Sequence, residues 1–301
     1  FVILVLMQLG GLGYMTITSF IILSRAERFS GVRRGILSTQ FALPQGFWMS
    51  QFIRHVVVFT LAIETVGVFP LYFQFKQAGI PTPLWSAVFH SVSSFATAGF
   101  SLNNNSLEGF RDNVVVNAAI GTLCYLGAIG FIVMQDAFLA CTRKGHRITF
   151  TSKTILLMTG FVLLVCSPVL MFCEPEIAHL PWTKRACVAL FQIMTASSTA
   201  GFNTVPIGAL SAASLTVIIV SMVIGASPSG TGGGIKTTSF SALLGLLGST
   251  LRGHAEEVTF CKRAIPLHRL MSAVASVTLY IIVLWFGVFL LSLIERQDYL
   301  K

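Results

Sequence analysis

Long apolar runs joined by short basic connections constrain this chain more than any other feature of its sequence. A helix that crosses the hydrocarbon core of a membrane takes roughly 20 apolar residues, and six segments are near that length or longer. They are residues 1–24, 51–75, 113–141, 154–173, 208–250 and 268–294. Only 10% of the 301 residues are charged, whereas a soluble protein carries about 25%. The sequence therefore predicts an all-α integral membrane protein.

The net charge of +9 does not indicate a nucleic-acid-binding protein. Most basic residues lie in the connections between apolar runs, where they orient a membrane protein. They are not interleaved with exposed aromatic residues. We therefore expect lipid around the chain and no nucleic-acid partner.

Two shorter apolar segments, 84–95 and 186–197, cannot cross the membrane as helices. Each is followed by the same tetrapeptide, Thr-Ala-Gly-Phe, at residues 97–100 and 199–202. Alignment of the two regions at an offset of 102 residues matches five of fourteen positions. This pattern predicts a duplicated unit in which a helix, a short re-entrant half-helix, an extended turn and a second helix follow one another.

The repeated turn predicts a pore. Irregular backbone at membrane depth is tolerated where it lines water or is buried in protein, and glycine lets successive carbonyls point one way. Rings of such carbonyls replace the hydration shell of a cation. We therefore expect a monovalent cation, K⁺, to be bound at the filter residues, and no other metal or cofactor. The filter residues are Ala96, Thr97, Ala98, Gly99, Ser198, Thr199, Ala200 and Gly201. The rival interpretation, a helix-capping turn, is disfavoured because two copies occupy matching positions.

The segment 208–250 would be about 65 Å long as one helix, twice the membrane thickness. A Gly/Ser/Thr-rich stretch, 225–238, interrupts it, so the segment crosses either once with a break or twice. One crossing places thirteen basic residues on one side and six on the other, with Lys236 inside the membrane. The positive-inside rule then favours one broken crossing. Connections 25–50, 142–153 and 251–267 are predicted to be cytoplasmic, and 101–112 and 174–185 external.

The interruption predicts a mobile gate below the filter, because a loop of small residues has little packing to hold it. The gate residues are Gly225, Ser227, Ser229, Gly230, Thr231, Gly232, Gly233, Gly234 and Lys236. Lys236 either forms a barrier to cations or extends to the inner interface. A phosphate-binding loop is excluded because Ile235 separates Gly234 from Lys236 and no strand precedes the stretch.

Two polar residues lie inside apolar segments, Glu64 in a span and His90 in the first half-helix. Such residues are functional candidates. We favour the alternative that they support the re-entrant backbone through hydrogen bonds. Gly127 and Gly130 are predicted to permit close helix packing.

Several motifs resemble the TrkH/KtrB potassium-uptake family. Residues 89–102, beginning Phe-His-Ser-Val-Ser, and residues 199–204 look like its pore loops. Residues 225–238, from Gly-Ala-Ser-Pro to Gly-Gly-Gly-Ile-Lys-Thr-Thr, are similar to its intramembrane gating loop. Residues 8–16 look like the exit helix of its first unit. The resemblance covers the whole chain, with a bias toward KtrB.

The resemblance implies four helix–pore-loop–helix units in a pseudo-fourfold arrangement around one pore. Residues 1–24 would be the second helix of unit one and 268–294 the first helix of unit four. Residues 51–141 would form unit two, with its pore loop at 84–102, and 154–250 unit three, with its pore loop at 186–204. Pore loops one and four would lie outside this chain, which leaves open whether the pore selects K⁺ over Na⁺.

The resemblance further implies a location in the cell (plasma or inner) membrane, with several spans and with pore loops facing outside. It implies a cytosolic ring of nucleotide-binding regulatory subunits like TrkA/KtrA, and often a homodimer. The function expected is a potassium-uptake channel or channel-like transporter, and not an enzyme. The alternatives are a sodium-conducting member of the same family, an intramembrane enzyme and a non-conducting scaffold. The enzyme alternative is disfavoured because the sequence lacks a catalytic motif such as H-E-x-x-H. The scaffold alternative is disfavoured because the sequence contains two filter-like turns.

Overall fold

The computed structural model describes residues 1–12, 49–142, 147–253, 258–261 and 263–295. Residues 13–24 of the expected first span lie outside the described residues, as does the connection 25–48. Where the chain is described, helices dominate. They are α1 (Val2–Gly11), α2 (Met49–Gln77), α3 (Pro83–Phe95), α4 (Val114–Ile129), α5 (Phe131–Thr142), α6 (Phe150–Cys173), α7 (Trp182–Ser197), α8 (Ala212–Val223), α9 (Thr237–Leu251) and α10 (Leu267–Glu295).

Short elements connect some of these helices. Single 3₁₀ turns are formed by Glu108–Phe110, Pro175–Ile177 and Ile207–Ala209. An antiparallel hairpin pairs β1 (Thr259–Phe260) with β2 (Arg263–Ala264). Within the described residues, this hairpin is the departure from the all-α architecture that the composition predicts.

The described helices differ in their capacity to cross a membrane. Three are long and apolar enough to cross alone: α2 over Val56–Gln77, α6, and α10 over Leu267–Ile294. The half-helices α3 and α7 have 13 and 16 residues, which is about 20 and 24 Å at 1.5 Å per residue. Both are shorter than a hydrocarbon core of about 30 Å, as the sequence predicts for the segments 84–95 and 186–197.

Helix starts follow the local sequence. Pro83 occupies the first turn of α3, where its missing N–H costs nothing. Asn113 accepts a hydrogen bond from the backbone N–H of Val116 at the start of α4. Thr149 does the same for Ser152 in α6, and Ser211 for Ser214 in α8.

The predicted span 113–141 is wrong as a single helix. It forms α4 and α5, which are bent by 96° at Gly130. Gly130 has φ +88°, a left-handed conformation that a side chain disfavours. A Cβ there would also lie 2.4 Å from Ser227 Oγ. Gly130 therefore makes the bend and admits a neighbouring loop, beyond the helix-packing role expected from the sequence.

The segment 208–250 is interrupted as predicted, with a slightly different boundary. Helix α8 ends at Val223 and α9 begins at Thr237. We call residues 224–236 the intramembrane loop. Thr237 and Thr238, assigned to the interruption from the sequence, form the first turn of α9 instead.

The largest buried apolar cluster joins the two repeat units. It contains Phe75 of α2, Phe95 of α3, Phe191 of α7 and Phe202 of the second turn. Lipid tails are as apolar as these side chains, so the gain here is mainly van der Waals packing. The cluster fixes the two half-helices relative to each other, and hence the turns at their ends.

Candidate functional site

The first repeated turn begins at Ala96, the C-cap of α3. Thr97 and Gly99 have φ +50° and +70°. The backbone N–H of Ala98 donates to the carbonyl of Ser93 at 2.8 Å, and Ser93 Oγ donates to the carbonyl of Phe100 at 2.8 Å. These two hydrogen bonds hold the turn, which has an unfavourable backbone conformation at Thr97, against the end of its half-helix.

The second turn repeats this arrangement 102 residues later. Thr199 and Gly201 have φ +58° and +85°. Ala200 N–H donates to the carbonyl of Thr195 at 3.0 Å, and Thr195 Oγ1 donates to the carbonyl of Phe202 at 2.8 Å. The internal repeat found in the sequence therefore extends to backbone conformation and hydrogen bonding.

The two turns approach each other closely. A Cβ on Gly99 would lie 1.8 Å from the carbonyl oxygen of Ala200, whereas a Cβ on Gly201 would meet nothing within 4 Å. Gly99 is thus required both for its backbone angle and for the approach of the second turn. Gly201 is favoured for its angle alone.

A bridge that sequence reasoning missed connects the two turns on the side where residues 101–108 lie. Ser106 Oγ accepts a hydrogen bond from Asn203 N–H at 3.2 Å, and Leu107 N–H donates to the carbonyl of Asn203 at 3.0 Å. The Ser106 carbonyl accepts from Ser101 Oγ at 3.2 Å. Ser106 has φ +55°. No motif marks this serine in the sequence, because its role depends on a partner 97 residues away.

His90 is fully buried, and its ring hydrogen-bonds to residues on both sides of the turn. Its Nδ1 lies 2.8 Å from the carbonyl oxygen of Ser86, and its Nε2 lies 3.0 Å from Ser101 Oγ. The ring therefore connects the half-helix to the chain that leaves the turn.

Glu64 supports the site differently from the expectation. Its side chain accepts a hydrogen bond from Gln8 Nε2 at 3.0 Å, which joins α1 to α2. The contact with the re-entrant segment comes from the backbone carbonyl of Glu64, which accepts from Ser91 Oγ at 2.7 Å. The carboxylate thus holds neighbouring helices together, and the main chain holds the half-helix.

The intramembrane loop lies against both turns. Thr231 Oγ1 donates to the carbonyl of Phe95 at 3.1 Å and accepts from Thr97 Oγ1 at 3.1 Å. Gly233 N–H donates to Thr199 Oγ1 at 2.6 Å. A Cβ on Gly232 would lie 2.4 Å from the carbonyl oxygen of Ser198. The predicted gate residues and the predicted filter residues therefore meet at one place.

The same loop is also bound to the bend between α4 and α5. Ser227 N–H donates to the carbonyl of Ala128 at 3.0 Å, and Ser227 Oγ donates to the carbonyl of Ile129 at 2.5 Å. Thr231 N–H donates to the carbonyl of Gly127 at 3.0 Å. In return, Phe131 N–H donates to the carbonyl of Ser229 at 3.2 Å, and Ile132 N–H to Ser229 Oγ at 3.3 Å.

These bonds correct the expectation that little holds the loop. Its composition gives few apolar contacts, but backbone groups and hydroxyls replace them. Gly225 N–H also donates to the carbonyl of Ile235, and Gly234 takes φ +74° to close the loop. Glycine is needed at these positions because other backbone atoms approach too closely for a side chain.

Lys236 turns back onto the loop. Its Nζ donates to the carbonyl of Gly232 at 2.7 Å, and the side chain is partly buried. Because Gly232 abuts the second turn, this arrangement places the ammonium group close to the turn. The side chain of Lys236 is thus hydrogen-bonded within the loop.

The two turns contain only residues with uncharged side chains. Among the described residues, no group of three or more His, Cys, Asp or Glu side chains could hold a metal ion. The turns instead present backbone carbonyls and threonine hydroxyls. Oxygen dipoles of this kind suit a weakly hydrated alkali cation that must bind and leave.

An ion pair lies near the start of α4 and α7. Lys184 Nζ is 2.7 Å from Asp112 Oδ2. The hydrogen bond from Lys184 holds the pKa of the Asp112 carboxyl below its usual value of 3.8. Both side chains are about half exposed, so the pair contributes little to stability, but it connects the two repeat units.

Comparisons with known proteins were made for the whole chain. A family profile described as TrkH, Cation transport protein, matches residues 1–299. The chain is 29% identical over 300 residues to the Ktr system potassium uptake protein B of Vibrio alginolyticus, covering 98% of this chain and 66% of that protein. It is 30% identical over 308 residues to the Ktr system potassium uptake protein D of Bacillus subtilis strain 168, covering 100% and 68%.

A further relative carries a broader name. The Potassium/sodium uptake protein NtpJ of Enterococcus hirae is 28% identical over 264 residues, covering 86% of this chain and 58% of that protein. Among solved structures, the potassium transporter TrkH from Vibrio parahaemolyticus superposes with a TM-score of 0.72 at 20% identity, over 97% of this chain and 58% of that one. The similarity of structure shows a shared fold. The chain spans about two thirds of the length of the Ktr relatives and somewhat more than half of the TrkH structure.

Proposed function

The chain belongs to the TrkH family of cation transport proteins, and from this premise we propose that it forms the central part of a potassium-uptake channel or channel-like transporter. Membership of this family places it among membrane transporters, not enzymes. The intramembrane-enzyme alternative is therefore set aside. The relatives named for potassium uptake support K⁺ as the transported ion.

One observation carries the proposal. Two turns of the same backbone conformation end two half-helices that are too short to cross a membrane, and one loop is hydrogen-bonded to both. Two turns that only capped their helices would not need to contact the same loop. Two turns that form a filter above a gate would both contact the gate loop.

We assign the filter to residues 96–99 and 198–201, with K⁺ bound by their backbone carbonyls. Thr97, Gly99, Thr199 and Gly201 have positive φ and Ala98 and Ala200 do not, and we propose that this alternation turns successive carbonyls toward one side of the chain. Gly99 and Gly201 are the glycines typical of potassium-conducting family members. Sodium conduction remains the alternative, and the name of the Enterococcus relative covers both ions. The pseudo-fourfold pore, with unit two at 51–141 and unit three at 154–250, is part of the same proposal.

We assign the gate to the intramembrane loop. In the described conformation, two hydrogen bonds hold it to the turns and a third holds it to Phe95, the last residue of α3. At about 0.5–1.5 kcal/mol each, they amount to roughly 2–4 kcal/mol, a difference that the binding energy of a partner can overcome. We propose that the partner is a cytosolic nucleotide-binding ring of the TrkA/KtrA type, bound to a homodimer in the cell membrane. The basic connections would face it, and the pore loops would face outside.

Rubidium flux into liposomes that contain the full-length transporter tests the gate. Thr231→Val removes the hydroxyl that connects the loop to the first turn and keeps the side-chain volume. We expect flux without the regulator to rise about 5-fold or more, because roughly 1–2 kcal/mol of the closed state is lost. Deletion of residues 229–233 should raise flux further and weaken dependence on the regulator.

Thr216→Val is the matched control. Thr216 is exposed on α8, and its hydroxyl donates only to the carbonyl of Ala212 in its own helix, so flux should not change. Lys236→Ala should raise flux modestly. If a correctly inserted deletion variant shows unchanged flux, the loop is not a gate. If Lys236→Ala alone is silent, the obstruction is steric.

A further inference from the structure

A cavity of about 360 Å³ lies beside the first turns of α6, well away from the filter turns. It is lined by Ile148, Phe150, Lys153, Thr154, Leu157 and Arg263. The α6 residues recur at helical spacing and share one face, and Arg263 reaches the cavity from β2. Its volume lies within the range of small-molecule sites.

Two cations line this cavity, and neither forms an ion pair with another residue in the described part of the chain. They are Lys153 and Arg263, and both are exposed. Lys153 occupies the first turn of α6, where the helix dipole disfavours a positive charge. Arg263 lies over the ring of Phe150 at 4.8 Å from its centroid, which fixes the guanidinium and leaves its N–H groups free. A bound anion would offset both charges.

Thr154 forms part of the cavity wall, with its hydroxyl oxygen enclosed within the protein. It is only 7% exposed, and its hydroxyl has no hydrogen-bond partner among the described residues. Buried hydroxyls are normally paired. Threonines elsewhere in the same helix follow that rule, since Thr159 Oγ1 donates to the carbonyl of Ile155 at 2.8 Å.

An apolar stripe leads away from the cavity along α6. Leu157, Phe161 and Leu164 follow one another at helical spacing and are 51%, 49% and 78% exposed. A free phosphate ion has no use for such a stripe, but an acyl chain does. The cavity is lined by residues from the connections 142–153 and 251–267, which are predicted to face the cytoplasm, where anionic lipids concentrate.

We propose that this cavity binds an anionic phospholipid of the inner leaflet. Its phosphate lies between Lys153 and Arg263, and one acyl chain follows Leu157, Phe161 and Leu164. The site does not depend on the filter or gate assignments, and its test needs no transport measurement.

Native mass spectrometry of the full-length transporter in detergent measures the site directly. The protein is titrated with phosphatidylglycerol, with phosphatidylcholine and with glycerol 3-phosphate. We expect tight retention of phosphatidylglycerol only. Lys153→Gln with Arg263→Gln should weaken retention about 5-fold for each charge removed. Both side chains are exposed, so the variant should fold.

Arg252→Gln with Arg269→Gln is the matched control. Both arginines are exposed and lie on the same predicted side, and neither lines the cavity. This pair should leave retention nearly unchanged.

Three results would overturn the proposal. Equal losses of phosphatidylglycerol retention in the test pair and in the control pair would mean that general surface electrostatics, and not this site, holds the lipid. Equal retention of phosphatidylcholine would mean an apolar groove without a headgroup site. Comparable binding of glycerol 3-phosphate would mean a soluble phosphate ligand.

Discussion

Gly99 and Gly201 allow the filter assignment to be tested by one substitution placed in two different surroundings. Both residues have φ in the left-handed region, at +70° and +85°. A residue with a side chain costs roughly 1–2 kcal/mol there. Only Gly99 faces a second obstacle, because its Cβ would lie 1.8 Å from the carbonyl oxygen of Ala200. Real Cβ atoms essentially never come within 3.0 Å of another heavy atom, so Ala200 must move by at least 1.2 Å.

These quantities give distinct expectations. In Gly201→Ser the protein should fold, and the strain should favour turn conformations that no longer coordinate the ion. A bias of about 1–2 kcal/mol corresponds to a 5- to 30-fold loss in affinity for K⁺, with a reduced preference over Na⁺. In Gly99→Ser both turns are displaced by more than the roughly 0.5 Å that a preorganised site tolerates. Selectivity should be lost and the unfolding temperature should fall further.

Rubidium uptake into liposomes, with K⁺ and Na⁺ as competitors, measures affinity and selectivity for the full-length transporter. Gly79→Ser is the control for backbone strain. Gly79 has φ +73°, its Cβ would meet nothing within 4 Å, and it lies in the turn between α2 and α3. It should lower stability without changing selectivity. Unchanged selectivity and affinity in both Gly99→Ser and Gly201→Ser would refute the filter assignment, as would an equal change in Gly79→Ser.

Three further outcomes are expected. Ser106→Gly keeps the left-handed backbone but removes the hydroxyl that accepts from Asn203 N–H, so K⁺ over Na⁺ selectivity should fall several-fold at unchanged expression; equal selectivity would show that the bridge is only structural. A single cysteine at Ser249, on a background without native cysteines, should resist external labelling, and labelling there would mean that the chain 208–250 crosses twice. The pKa of Asp112 is lowered, so its stabilising pair with Lys184 is present above about pH 4 and is lost as the pH falls through the folded-state pKa. Between pH 5 and pH 3, loss of this pair should therefore lower the free energy of unfolding of the wild type by under about 1 kcal/mol. Thermal unfolding should show a smaller decrease over the same pH range in Lys184→Met, which lacks the pair.

The sequence predicted the elements whose signals are local. The short segments 84–95 and 186–197 could be recognised because each is too apolar for a surface helix and too short for a span. The repeated Thr-Ala-Gly-Phe marked the turns that follow them. The interruption near 225–236 was visible because so many Gly, Ser and Thr residues cannot continue a membrane helix.

The features that were missed depend on contacts between distant segments. Gly130 looked like one more packing glycine, since nothing in the sequence around it shows that the carbonyls of α4 find donors in a loop 98 or more residues away. Ser106 is one of several polar residues in an external connection, and only the fold places it against Asn203. The expectation of a weakly held loop failed because composition reveals the lack of apolar packing but not the supply of backbone hydrogen bonds.

The bend at Gly130 and the intramembrane loop supply hydrogen-bond partners for each other's backbone groups. A bend at Gly130 would leave carbonyls of α4 without donors in lipid, and an open loop would leave its N–H groups without acceptors. Five hydrogen bonds between the loop and the bend remove both costs, whereas three connect the loop to the two turns and the end of α3. At about 0.5–1.5 kcal/mol each, the loop is held more firmly to the bend than to the filter. It should therefore leave the filter while it stays attached to α4 and α5. For that reason Thr231→Val, which affects the weaker set through its hydroxyl, should open the pore with little loss of stability. Deletion of residues 229–233 removes bonds of both sets and should open it at the expense of the fold.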